Sequence, residues 1–209
     1  MSMTRRGDRQ GDQRGLDRML AFADAVVAIA ITLVVLPLVD TAMGATSTEA
    51  FLTEHRSEIG SAAISFVVIA AFWRAHHWLF APATGYSSSV LSLEIVWLAS
   101  IVAIPVATVL DVAAGDSDRL TLGIYIGTLL VSSLALRAES TALRRGGFLA
   151  GTPRESVLER WLGSGLMFVA LVLAVLFPQP GALWLLLLLL EQPLRRGVRR
   201  RGTTEHSTP

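Results

Sequence analysis

Residues 18–39, RMLAFADAVVAIAITLVVLPLV, decide the fold class of this chain. A helix needs roughly 20 apolar residues to cross a bilayer, and this stretch is long and apolar enough to do so. It nevertheless carries Arg18 and Asp24 near its start. Charged side chains within a bilayer are costly and usually pair with one another or line a water-filled path. The stretch therefore predicts a spanning helix whose two charges need a structural or functional reason.

The composition extends this membrane assignment to the whole chain. Of its 209 residues, 52% are hydrophobic and only 17% are charged, whereas soluble domains have roughly 25% charged residues. All 18 basic residues are arginine, but the net charge is only +1. These arginines do not indicate a nucleic-acid-binding patch, and no nucleic-acid partner is expected. There is no cysteine, which excludes disulfides, thiolate metal sites and cysteine nucleophiles. The predicted fold class is an all-α integral membrane protein.

Hydrophobic stretches predict six transmembrane helices. The last is only about 21 Å long, shorter than a hydrocarbon core of roughly 30 Å. The predicted spans are 17–39, 59–80, 90–113, 119–137, 158–177 and 181–194. They divide the chain into a polar tail (1–16), a six-helix transmembrane domain (17–194) and an arginine-rich tail (195–209).

The distribution of arginine predicts the orientation of these spans. Fifteen arginines are assigned to one side: fourteen in the two tails and the 137–160 loop, and Arg18 at the start of the first span. The 40–58 and 111–119 loops hold only Arg56 and Arg119. Arginine-rich loops stay in the cytoplasm. We therefore expect a multi-pass protein of the cytoplasmic membrane with both termini inside the cell and both tails cytoplasmic.

This topology places several polar side chains at a similar depth near the cytoplasmic side. Arginines can extend to the headgroups along their apolar stems and a histidine can be packed in a core, so each of these residues alone has a simple structural explanation. The carboxylate of Asp24 is too short to reach the headgroups and needs a partner or a proton. Tryptophans near this boundary are typical interfacial anchors. The predicted polar cluster contains Asp24, Arg74, His76, His77, Glu94 and Glu191.

A second face of the first span is aliphatic. At about 100° per residue, Phe22, Ile29, Leu33 and Leu36 fall on one stripe, with Thr32 at its edge and Asp24 directed elsewhere. Most such stripes pack against other helices or lipid. Periodicity alone does not distinguish packing against helices or lipid from a functional role of the stripe.

Three motifs resemble the transmembrane protein 175 family of potassium channels. Arg18-x-x-x-Phe22-Ala23-Asp24 resembles the R-x-x-x-F-S-D signature that opens the first helix of that family. Trp73-x-x-His76-His77 is similar to its W-x-x-H-H element, and Pro105-x-x-Thr108 to its proline-threonine step. Six helices, cytoplasmic termini and a length near 200 residues are similar to the bacterial members, which assemble as tetramers.

The resemblance implies a homotetrameric channel in which four copies of the first helix line the pore. Ile29, Leu33 and Leu36 would form hydrophobic rings that gate the pore, with the hydroxyl of Thr32 beside them. The implied cargo is potassium, modestly preferred over sodium, with no cofactor, no metal beyond the permeating ion, and membrane lipid as the surrounding partner. The residues expected to brace the inner end of the pore helix are Arg18, Phe22, Ala23, Asp24, Trp73, His76 and His77.

One residue departs from the family pattern. Ala23 stands where the signature has serine, so a hydroxyl that could bond a neighbouring helix is missing.

A secondary transporter and a membrane enzyme are the two alternatives to a channel. A secondary transporter with a polar site on the cytoplasmic side would normally have internal repeats and helices broken near the midplane. Neither feature is evident in the sequence, although Pro37 and Pro105 could each break a helix. A haem- or metal-dependent membrane enzyme would need ligands on separate helices, yet His55 lies on the opposite side and adjacent His76 and His77 point about 100° apart. We therefore expect a non-enzymatic protein.

Overall fold

The computed structural model describes residues 2–114 and 119–149, with side chains described from residue 13 onward except that of Arg119. The described chain is helical, and its only extended pairing is an isolated bridge between Ala83 and Leu149. Its helices are α1 (Ser2–Met43), α2 (Thr48–Glu54), α3 (Arg56–Phe80), α4 (Ser88–Ala114) and α5 (Arg119–Arg145).

Four of these helices are long and apolar enough to cross a membrane, and they coincide with the first four predicted spans. The apolar part of α1 runs over Gln13–Met43, and α3, α4 and α5 supply the other three. The predicted fold class is therefore confirmed as far as an all-helical membrane protein with four candidate spans. The fifth and sixth predicted spans, and Glu191, lie outside the described residues.

The helices extend beyond the predicted boundaries. Helix α1 begins at Ser2, inside the segment expected to be a polar tail, and α5 continues to Arg145 beyond the expected end at 137. The 40–58 connection contains the short helix α2, whose start is capped by the Ser47 hydroxyl accepting a hydrogen bond from the Ala50 amide at 3.1 Å. Polar residues end a hydropathy window without ending a helix, because backbone hydrogen bonds continue past them.

Helix α1 packs against α3 and α4, while α4 and α5 form the most extensive pair. One face of α1 is buried, at the spacing of three and four residues that a helix requires. These buried residues are Leu16, Met19, Ala23, Val27, Ala30 and Val34. Helices α1 and α3 leave more of their apolar surface uncovered than α4 and α5 do.

A chain of buried hydroxyls joins α3, α4 and α5. Ser65 Oγ lies 2.8 Å from Thr108 Oγ1 and 2.9 Å from Tyr125 Oη, and Thr108 Oγ1 donates to the Ile104 carbonyl at 2.8 Å. Each hydroxyl has one proton. Since the Thr108 hydroxyl donates its proton to the Ile104 carbonyl, the Ser65 hydroxyl must donate to Thr108. The Tyr125 hydroxyl must then donate to Ser65. The three polar groups are thus satisfied inside an apolar core.

An apolar cluster at one end of the bundle shows the direction in which each helix runs. It gathers residues from the start of the apolar part of α1, the end of α3, the start of α4 and the end of α5, so successive long helices run in alternating directions. The cluster consists of Leu16, Met19, Phe80, Ala83, Val90 and Leu143. We call this end of the bundle the Phe80 end.

The end of α5 is a Schellman turn. The Phe148 amide donates to the Leu143 carbonyl at 3.0 Å and the Gly147 amide to that of Arg144 at 3.2 Å. Gly147 adopts φ 71°, which glycine reaches without steric cost. The turn directs the chain back to Thr84, whose amide donates to the Phe148 carbonyl at 2.9 Å.

Candidate functional site

The aliphatic stripe of α1 lies on the face that the other described helices leave uncovered. Ile29 is 60% exposed, Leu33 40% and Leu36 51%, and Phe22 shares this uncovered surface. The opposite face of the helix is in the core. Packing against the other described helices therefore does not account for the stripe.

Thr32 lies on the same uncovered surface. Its hydroxyl donates to the Ile29 carbonyl one turn earlier, at 2.8 Å. Because the single proton is used on the backbone, the free lone pairs of Oγ1 remain available as acceptors. The side chain can thus present an oxygen to a cation without first breaking a stronger contact.

Asp24 finds its partner on α3. The Trp73 indole Nε1 donates to Asp24 Oδ1 at 2.8 Å, across 49 residues of sequence. The His77 ring lies beside Trp73, with 5.7 Å between ring centroids. These contacts connect the Phe80-end half of α1 to α3.

The Asp24–Trp73 contact does not include Arg18 and Ala23 of the predicted brace, or Arg74 of the predicted polar cluster. Arg18 is exposed and has no hydrogen bond or ion pair within the described part of the chain. Ala23 is buried in the core, so the serine hydroxyl that it replaces would have faced other helices. Arg74 lies over the Trp78 ring, 5.8 Å from its centroid, and is exposed.

His76 faces the core, whereas its neighbour His77 is exposed. His76 is buried, and its Nε2 lies 3.0 Å from both carboxylate oxygens of Glu94 on α4. The imidazole stacks on Trp97 with 4.2 Å between centroids and 8° between planes, and Phe80 lies 4.6 Å away. The predicted polar cluster is therefore two separate sites: Asp24 with Trp73, and His76 with Glu94.

Glu139 on α5 completes the second site and was missed by the sequence reading. Its side chain is 0% exposed, and within the described residues neither carboxylate oxygen has a hydrogen-bond partner. Donor atoms of His76, Glu94 and Glu139 all lie within 4.8 Å of one another. The residue was overlooked because α5 was expected to end at 137. The helical spacing could have indicated it, because Leu136, Glu139 and Leu143 lie on one face of α5.

These features define a class of protein before any comparison is made. Four long apolar helices, an uncovered aliphatic stripe and polar contacts between helices are typical of a multi-pass membrane protein. No buried nucleophile-and-base pair of the hydrolytic kind occurs among the described side chains.

A comparison with protein families identifies the group. The family model for the endosomal/lysosomal potassium channel TMEM175 matches residues 18–105. The matched region begins at Arg18 and ends at Pro105, and so contains the signature of α1 and the Trp-His element of α3. The resemblance to that family is thereby confirmed over residues 18–105. That family is one of ion channels, which agrees with the expectation of a non-enzymatic protein. A search of curated proteins found no match.

Proposed function

We propose that this chain is the subunit of a potassium channel whose pore is lined by α1. The observation that carries the proposal is the stripe of Ile29, Leu33 and Leu36, which the described helices leave uncovered while they bury the other face of α1. The family match supports the assignment of potassium as the permeating ion. One helix cannot enclose a pore, so rotationally related copies must supply the rest of the wall.

The aliphatic residues would form the gate. Ile29, Leu33 and Leu36 follow each other at four and three residues, which stacks their rings about 6 and 4.5 Å apart along the pore. A narrow aliphatic constriction expels water and so blocks ions. Conduction then requires α1 to tilt or rotate until the rings widen, a rigid-body movement of the kind common in switching proteins.

Two features of α1 would assist this movement. Pro37 has no amide proton, so the Leu33 carbonyl lacks its usual helical hydrogen bond. The helix is therefore weakened beside one of the proposed rings. At the other end, the Asp24–Trp73 contact would hold α1 at a fixed angle to α3.

Selectivity would be modest and would come from Thr32. Four copies would place four acceptor oxygens between the Ile29 and Leu33 rings. Potassium gives up its hydration shell more readily than sodium, so hydroxyl oxygens replace the lost water at lower cost. We further propose a homotetramer in the cytoplasmic membrane, surrounded by lipid and with both termini in the cytoplasm.

Potassium flux into liposomes containing only the purified full-length protein tests the function. The parent protein should support flux, and Ile29→Asn should raise basal leak because four amides would wet the constriction. Val67→Asn is the matched control, since Val67 is 64% exposed on α3 and lies outside the proposed pore. It should leave the leak unchanged.

Two outcomes would contradict the proposal. Equal effects of Ile29→Asn and Val67→Asn would mean that the stripe faces lipid. Saturable flux without single-channel steps in a planar bilayer would favour a secondary transporter with its polar site near the Phe80 end.

A further inference from the structure

We propose that His76, Glu94 and Glu139 bind a divalent transition-metal ion, with Zn²⁺ as the best match, and that this ion ties α3, α4 and α5 together. The site lies within the bundle near the Phe80 end and not on the uncovered face of α1. It is therefore separate from the proposed pore, and its test does not depend on ion conduction.

The ligand chemistry fits such an ion. Zinc takes histidine nitrogen and carboxylate oxygen as ligands at about 2.0–2.2 Å, commonly three protein groups plus water. Two ligands on one tetrahedral ion are then about 3.4 Å apart. The separations of 3.0 Å between His76 Nε2 and both Glu94 oxygens are close to this value. The third donor lies within 4.8 Å, so a rotamer adjustment of Glu139 would complete the set.

The charge of a divalent ion suits the cluster of His76, Glu94 and Glu139. A divalent ion and two carboxylates sum to zero, which suits a low-dielectric interior. Within the described residues no arginine contacts either carboxylate.

A proton shared between the carboxyl groups explains the geometry less well. Such a proton would require an O···O hydrogen bond of about 2.5–3.0 Å. Neither oxygen of Glu139 makes a hydrogen bond to any described residue, although the side chain is 0% exposed. A buried carboxyl group that lacks a hydrogen-bond partner among the described residues, and that lies beside a histidine and a second glutamate, can supply the third ligand to a metal ion.

The surroundings would hold the ligands in place. Trp97 and Phe80 pack against the imidazole of His76 and fix its ring plane. His76 lies one turn after Trp73, the residue that contacts Asp24 of α1. An ion at this site would therefore also stiffen the part of α3 on which α1 is braced.

The experiment measures metal binding directly. Full-length protein in detergent is stripped with a chelator, exposed to Zn²⁺ and desalted, and bound zinc is quantified by mass spectrometry beside thermal unfolding. We expect about one zinc per chain and a higher unfolding midpoint with Zn²⁺. Glu139→Gln should weaken binding at least 100-fold, since even loss of an outer-shell partner costs about 10–100-fold. It should also remove the thermal response.

The chain provides a matched control. His55 and Glu58 form another histidine–glutamate pair, 3.2 Å apart, and no third donor joins them among the described residues. Glu58→Gln should therefore leave zinc binding unchanged. If Glu139→Gln does not fold, the visible spectrum of Co²⁺ bound to the parent decides, because tetrahedral and octahedral Co²⁺ absorb differently. Absence of zinc from the parent, or equal binding by Glu139→Gln, would overturn the proposal.

Discussion

Thr32 is the residue on which the proposed selectivity depends. Its proton is held by the Ile29 carbonyl, which leaves an oxygen directed away from the backbone. Valine has nearly the same shape but lacks that oxygen. Replacing Thr32 with valine therefore tests whether the Thr32 hydroxyls contact the permeating ion.

Thr32→Val should reduce the preference for potassium over sodium without raising basal leak. The aliphatic rings above and below would be intact, so the closed pore would still exclude water. Reversal potentials in bi-ionic bilayer recordings measure the change, with Ile29→Asn as the variant that raises leak instead. An unchanged reversal potential would show that Thr32 does not contact the permeating ion.

Asp24 and Trp73 form the contact on which the proposed brace depends. A hydrogen bond to a carboxylate contributes about 1.5–3 kcal/mol, and we expect about 1–2 kcal/mol here because the pair is exposed in one subunit. Trp73→Phe should destabilise the protein by that amount in a denaturant titration. Combining it with Asp24→Ala should add little, since both remove the same bond.

Trp78 provides the control for the loss of an indole. It is 69% exposed and lies under Arg74, and its Nε1 donates no hydrogen bond within the described region. Trp78→Phe should therefore be close to neutral. A full additive loss in the Asp24→Ala, Trp73→Phe double variant would mean that the two residues act independently.

At the scale of helices, the hydroxyl chain through Ser65 connects α3 to both α4 and α5. Ser65→Ala would leave the buried Tyr125 hydroxyl without its acceptor, which costs about 1–3 kcal/mol. Denaturant unfolding in detergent should detect this loss. Adding Tyr125→Phe should recover part of it, because the stranded hydroxyl is then gone.

Ser92→Ala is the appropriate comparison for that loss. Ser92 donates only to the Ser88 carbonyl of its own helix and is exposed. Its removal should change stability by less than about 0.5 kcal/mol. Equal costs for Ser65→Ala and Ser92→Ala would mean that the interhelical chain contributes nothing.

At the scale of the whole molecule, the uncovered face of α1 predicts assembly. Four helices related by a common axis would bury the apolar stripe of each subunit around a pore. Native mass spectrometry of the detergent-solubilised protein should give a tetramer as the main species. Only monomers or dimers under mild conditions would contradict the proposed pore.

The sequence alone determined the helical membrane class, four spans and the residues of the aliphatic stripe. These follow from the length and periodicity of apolar residues, which are local properties of the chain. The same is true of the motifs between Arg18 and Pro105 that carry the family resemblance, because they are read as residue spacings.

Only the tertiary structure decided which polar groups meet. Asp24 contacts Trp73 across 49 residues and His76 contacts Glu94 across 18, while Arg18 makes neither contact. Depth in the membrane could be inferred from the topology, but the rotation of each helix about its axis could not. That rotation depends on side chains packed from several helices at once, and it is what separates His76 from His77 and brings Glu139 to the metal site proposed above.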